Sequence, residues 1–108
     1  AVMRAIVRGE AATLILDVRN RSALPGLDTD AVVEVPCLVD SNGAHPMAVD
    51  PLGAGELDLV RTVKRVERLT IEAALGGSPE LVERALAAHP LVGPAAARRL
   101  VETARAPR

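Results

Sequence analysis

Apolar residues recur along this chain in two rhythms, and the predicted elements follow from where one gives way to the other. The opening "AVMRAIVRGE" (1–10) puts Val2, Met3, Ile6 and Val7 on one helical face and Arg4, Arg8 and Glu10 around the other. Gly9 stands where a helix can end, and no Ser, Thr, Asp or Asn precedes the helix to cap its start. "ATLILDV" (12–18) is a short apolar, β-branched run suited to a strand covered on both faces. "RNRSALPGLDTD" (19–30) is loop chemistry, with a turn at Pro25-Gly26. "AVVEVPCLVDSNGAHPMAV" (31–49) then reads as a β-hairpin. Its Asn42-Gly43 suits a two-residue type I′ turn, which sets Asp40 opposite His45, Leu38 opposite Met47 and Cys37 opposite Ala48. Alternation puts Val33, Val35, Cys37 and Val39 on one face, and Glu34, Leu38, Asp40 and His45 on the other.

Beyond the irregular "DPLGAG" (50–55), the period lengthens to that of a helix over 56–75, on which Leu59, Val60, Val63, Val66, Ile71 and Ala74 recur. Gly76-Gly77 ends it, and Ser78 with Pro79 supplies the cap and first turn of the next. There Leu81, Val82, Ala85 and Leu86 are expected inward, before His89-Pro90 closes it. A last helix after Gly93-Pro94 carries Leu100, Val101 and Ala104 inward, with Arg98 and Glu102 spaced for an ion pair. The pattern predicts an α+β fold: a short strand plus a β-hairpin packed against about four helices.

Composition narrows what such a fold can do. At 108 residues and 49% hydrophobic content, the expectation is one compact core. Thirteen basic against 14 acidic residues leave no electrostatic footprint for nucleic acid. The chain has no Phe, Tyr or Trp, hence no ring on which bases or sugars could stack. No window approaches the roughly 18 apolar residues of a membrane span, and a single Cys cannot form an internal disulfide, so a cytoplasmic location fits. The chain opens already in helical rhythm with no initiating Met, which suggests a piece of something longer.

The residues that bear chemistry are few. Cys37 and His45 point to opposite faces of the predicted hairpin, which disfavours a metal site built on the pair. A small buried apolar role is the commoner fate of a lone Cys. Asp40 and His45 read as a solvated cross-strand pair, with no nucleophile beside them. Arg61, Lys64, Arg65 and Arg68 are interleaved with Asp58, Glu67 and Glu72, which favours a solvated helix face or a subunit contact over a phosphate-binding strip.

Three blocks, "LILDVRNRSALPGLDTDAVVEVPCLVDSNGAHPMAV", "VKRVERLTIEAAL" and "ALAAHPLV", go further. In order and spacing, from Thr13 to Leu100, the chain resembles the carboxyl-terminal part of glycoside hydrolase family 4, and within it the 6-phospho-β-glucosidase branch. Ser22 departs from the family's Asn-x-Gly loop motif, where Gly is usual. The resemblance implies a lactate-dehydrogenase-like carboxyl-terminal domain, here residues 1–108, of a homo-oligomeric enzyme outside the two-carboxylate scheme of most glycosidases. It implies that a phosphorylated disaccharide or glycoside is cleaved by oxidation at C3, loss of the C2 proton, elimination and addition of water. NAD and a divalent metal, usually manganese, serve that chemistry. The family's nucleotide loop, metal-binding Cys and His, and tyrosine base precede the part matched here. No catalytic, cofactor-binding or metal-binding residue therefore carries over, and no cofactor is expected in this segment. Asn20, in the loop matching Asn-x-Gly, is the one position nominated as lining the substrate cleft, with a turn-forming role as the alternative.

Two functions of different class follow. One is the carboxyl-terminal segment of a phospho-glycosidase, completing its substrate domain and a subunit interface. The other is a stand-alone, non-catalytic interaction or small-ligand module that keeps the fold. The coding sequence upstream of Ala1 discriminates them: a frame that continues into a nucleotide-binding domain selects the first.

Overall fold

The computed structural model describes residues 1–107 and follows the order α1 (Val2–Arg8), β1 (Ala12–Arg19), β2 (Val32–Asp40), β3 (Gly43–Pro46), α2 (Ala54–Gly76), α3 (Pro79–Ala88), α4 (Gly93–Arg105). The α+β class is as the pattern predicts. The single core is not: the chain divides into two compact units, residues 1–53 and 54–108. The first unit gathers its buried residues between a sheet and one helix, and the second between three helices, so each half has its own core.

In the first unit β2 is central, flanked by β1 and β3 in antiparallel order β1-β2-β3. Leu14 lies opposite Cys37, Leu16 opposite Val35, and Val18 opposite Val33, so the apolar positions of two strands share one face. That face and α1 enclose a cluster of Ala5, Ala23, Val33, Val35, Cys37 and Val39. β1 is covered on one face only: its burial alternates, and Ile15 on the other side is 67% exposed. The strand has helix cover within this unit on a single side, which corrects the expectation of two.

Helix α1 ends at Gly9 with φ 68, a left-handed value that glycine takes without a Cβ clash. It turns Val2 and Ala5 to the sheet, while Met3 and Val7 are each 81% exposed. The expected inward face is thus rotated, because a methyl side chain at Ala5 lets the short helix approach the valines of β2 closely.

The hairpin register also differs. Asp40 pairs with Gly43, Val39 with Ala44, Leu38 with His45 and Cys37 with Pro46. The reversal runs through Ser41-Asn42, neither of which has positive φ; Gly43, the first residue of β3, has φ 108. The Asp40 carboxylate accepts the Asn42 N–H at 2.8 Å, a side-chain turn that competes with the type I′ geometry. The slip is of two residues, so side-chain parity survives and the predicted faces hold.

In the second unit α2 packs on α3 and α3 on α4. Ser78 caps α3, its Oγ accepting the Leu81 N–H at 3.2 Å. The buried positions are small: Ala73, Ala85, Ala97 and Val101. Several residues expected inward are exposed, among them Leu59 (57%), Ile71 (58%) and Leu100 (51%), because the helices meet along their alanines rather than their leucines. Arg98, spaced for a pair with Glu102 along its own helix, reaches Glu83 of α3 at 3.5 Å.

Candidate functional site

The most constrained polar group in the first unit is Asn20, fully buried where β1 runs into the 20–31 loop. Backbone bonds Asn20 N to Ala31 O and Arg21 N to Thr29 O, both 2.7 Å, close the neck of this loop. Inside it the Asn20 Nδ2 donates toward the carbonyls of Leu24 (3.1 Å), Leu27 (3.4 Å) and Asp28 (3.2 Å), and its Oδ1 accepts the Leu24 N–H at 2.7 Å. An amide nitrogen has two hydrogens for those three acceptors, so at least one is shared. Ala23 beyond it is buried, and its carbonyl accepts the Val49 N–H at 3.0 Å, tying the loop to the segment after β3. Asn20 therefore spends its hydrogen bonds within the loop that the cleft-lining expectation pointed to.

Asp40 and His45 meet at 3.2 Å on the exposed face of the hairpin. The Asn42 N–H, and after it His45, holds the Asp40 carboxyl below its ordinary value of 3.8. A carboxylate kept ionised by a turn amide is a structural acceptor, and no third group completes an acid/base relay there. Cys37 is 0% exposed on the opposite face, its Sγ 3.4 Å from the Val35 carbonyl. Cys37 and His45 thus do not meet. Among the described residues, no three His, Cys, Asp or Glu side chains come together as a metal would require. The donor set fits no metal, and the sequence carries no glycine-rich nucleotide loop.

Two hollows lined by described residues lie in the helical unit. One, of about 340 Å³, is apolar and lies between α2 and α3, lined by Val66, Ala73, Val82, Ala85 and Leu86. The other, of about 610 Å³, lies between α3 and α4 and is lined by Glu80, Glu83, Arg98, Glu102 and Arg105. The Glu80 carboxyl is held low by its own backbone N–H and by Ser78 at the helix start. His89 accepts the Leu91 N–H at 3.1 Å through Nδ1 and so finishes α3. These are helix-end and interhelical polar contacts, without a nucleophile.

One feature escaped the sequence reading. Arg21 has φ 52, the one positive value outside glycine among the described residues. Its only advance signal is the neighbouring departure at Ser22, where the family pattern places a glycine.

Comparison with known proteins accounts for the arrangement. Residues 1–92 match the profile described as the Family 4 glycosyl hydrolase C-terminal domain. A 6-phospho-beta-glucosidase of Thermotoga maritima is 39% identical over 77 residues, which are 71% of this chain and 19% of that protein. A maltose-6'-phosphate glucosidase of Fusobacterium mortiferum is 34% identical over 83 residues, 77% of this chain and 19% of that one. The Thermotoga maritima 6-phospho-beta glucosidase solved with manganese, NAD+ and glucose-6-phosphate superimposes with a TM-score of 0.84 at 36% identity, covering 94% of this chain and 26% of that one. The chain thus spans about a fifth to a quarter of the relatives it matches. Sequence and fold agree that the chain belongs to glycoside hydrolase family 4, as part of its carboxyl-terminal domain.

Proposed function

We propose that this chain is the carboxyl-terminal segment of a 6-phospho-β-glucosidase that depends on NAD and a divalent metal, manganese by preference. The observation that carries the reading is the superposition over 94% of the chain on an enzyme that holds manganese, NAD+ and glucose-6-phosphate. The β reading takes its lead from the longer of two matches at 39% identity, 77 residues to the Thermotoga maritima 6-phospho-beta-glucosidase against 70 to a maltose-6'-phosphate glucosidase of Bacillus subtilis. On this reading the metal, the nucleotide and the base are held by the rest of the polypeptide, in an amino-terminal domain outside this chain. The segment's part is architectural: the sheet and the Asn20-organised loop complete the substrate domain. The exposed leucines and isoleucine of α2 supply a subunit contact in a homo-oligomer. A phosphorylated glucoside as substrate and NAD as cofactor accord with a cytoplasmic enzyme.

The test uses the full-length polypeptide that carries this segment. It is expected to cleave a chromogenic 6-phospho-β-glucoside only when both NAD and manganese are present, and to place solvent deuterium at C2 of the sugar in D₂O. Cleavage independent of NAD, or without exchange at C2, would contradict the reading.

A further inference from the structure

The two edges of the sheet are protected unequally. At one edge β3 is four residues long, and the Met47 N–H that follows it donates to Pro36 O at 2.9 Å. By alternation Ala44 and Pro46 turn their backbone outward, and Pro46 brings no N–H to that edge. At the other edge β1 is eight residues long and unbroken in register, without proline or glycine. The Asn20 N–H donates to Ala31 O in step with that register, so Ala12, Leu14, Leu16 and Val18 bond toward β2. The N–H and C=O groups of Thr13, Ile15, Asp17 and Arg19 therefore face outward, and among the described residues no strand pairs with them. Ile15, in the middle of this edge, is 67% exposed. A long, regular edge with an apolar centre is what sheets blunt unless another strand covers it.

The residues of β1 also say which strand fits. Let two β1 strands pair antiparallel about a two-fold axis at Ile15. Ile15 then meets Ile15 of the second copy, and Thr13 stands opposite Asp17; on the core side Leu14 stands opposite Leu16, and Ala12 opposite Val18. Apolar meets apolar on both faces. Within the sheet Asp17 has the like charge of Glu34 opposite it and, among the described residues, no donor to its carboxylate. The Thr13 hydroxyl of the second copy supplies that donor. Moving the axis to Leu16 sets Ile15 against a carboxylate, and moving it to Asp17 sets two carboxylates together, so the Ile15 register is the complementary one. Thr13, Ile15 and Asp17 of the two strands then exchange about six main-chain hydrogen bonds. We propose that two copies of the polypeptide join edge to edge through β1, antiparallel with Ile15 on the two-fold axis, so that their sheets become one. The contact is separate from that of α2 and stands on the sheet alone, without the reading of the chain as part of a phospho-glucosidase.

The full-length polypeptide is compared with its Ile15→Lys, Ile15→Cys and Asp17→Cys variants. Ile15 is exposed, so Ile15→Lys is expected to fold with the parent's Tm while setting two like charges together on the axis. The dissociation constant of the two-fold contact, read by sedimentation velocity across a concentration series, should rise about a hundredfold or more, and the sedimenting mass should halve where the parent is fully assembled. The cysteines report the register. Under mild oxidation Ile15→Cys should give a covalent dimer on a non-reducing gel that the parent does not, because residues paired on the axis lie within disulfide reach. Asp17→Cys should not, since its thiols would stand four residues apart along the paired strands, about 14 Å. A parent that sediments as a monomer would overturn the proposal. So would an assembly unchanged by Ile15→Lys, or a cross-link through Asp17→Cys in place of Ile15→Cys.

Discussion

Asn20 shows how much a single buried polar side chain can organise. Its amide ties three carbonyls and one N–H of the 20–31 loop, and no buried side-chain polar atom among the described residues lacks a partner. Asn20→Ala strands those carbonyls and should cost about 1–3 kcal/mol in urea unfolding. Asn20→Asp, which turns a carboxylate toward the same carbonyls, should cost more. An Asn20→Asp protein as stable as the parent would mean the loop is held by its backbone bonds alone. Cys37 is the complementary case, apolar in role and sealed among valines. A thiol reagent should modify it only after denaturation, and Cys37→Ser should cost about 1–3 kcal/mol, toward the lower end if the hydroxyl keeps the bond to the Val35 carbonyl. Rapid labelling of the native protein would show that this face opens. The burial of Cys37 was legible in the alternation of "VVEVPCLVD". The hub role of Asn20 was not, because it depends on carbonyls four to eight residues away meeting one amide in space.

Among the elements, the helices and strands were legible from periodicity, and the errors lay in what each one faces. The hairpin turn was misplaced because the Asx bond from Asp40 to Asn42 outcompeted the Asn-Gly signal. The inward faces of α1 and α2 were misassigned because small residues, Ala5 and Ala73, make the close contacts while larger apolar neighbours stay exposed. Two element-scale outcomes follow. Ser78→Ala removes the cap of α3 and should lower stability by about 1 kcal/mol in urea unfolding; no change would mean Pro79 alone starts the helix. The lowered pKa of Asp40 sets a pH window. A carboxyl whose folded pKa lies below its unfolded value stabilises the fold above that value and loses the contribution as pH falls through the folded one. The hairpin should therefore weaken as pH drops below 3.8, and Asp40→Asn should flatten that part of the profile of urea midpoint against pH. An unchanged slope would assign the acid loss to other carboxylates.

At the scale of the whole molecule, hydrophobic surface left in the open is the dominant fact. Met3, Val7 and Ile15 in the first unit, and Leu59, Ile71 and Leu75 in the second, are each more than half exposed. Large apolar side chains left this exposed on each unit favour association, so the isolated chain should self-associate, most simply as a two-fold dimer. Sedimentation velocity across a concentration series should show it; a monomer persisting at high micromolar concentration would contradict it. Family membership was legible in the quoted blocks even where faces and register were not, since word order survives a local misreading of packing. The division into two units was not, because periodicity reports which residues are apolar and says nothing of which apolar faces meet. The central claim is that this segment shapes a phospho-glucosidase whose reacting groups lie elsewhere in the polypeptide. The most direct measurement is turnover of a chromogenic 6-phospho-β-glucoside, with NAD, manganese and reductant, by the isolated 108 residues beside the full-length polypeptide. The account predicts a rate indistinguishable from the protein-free control for the segment and turnover for the full-length polypeptide; turnover by the segment, abolished by a point substitution within it, would contradict it.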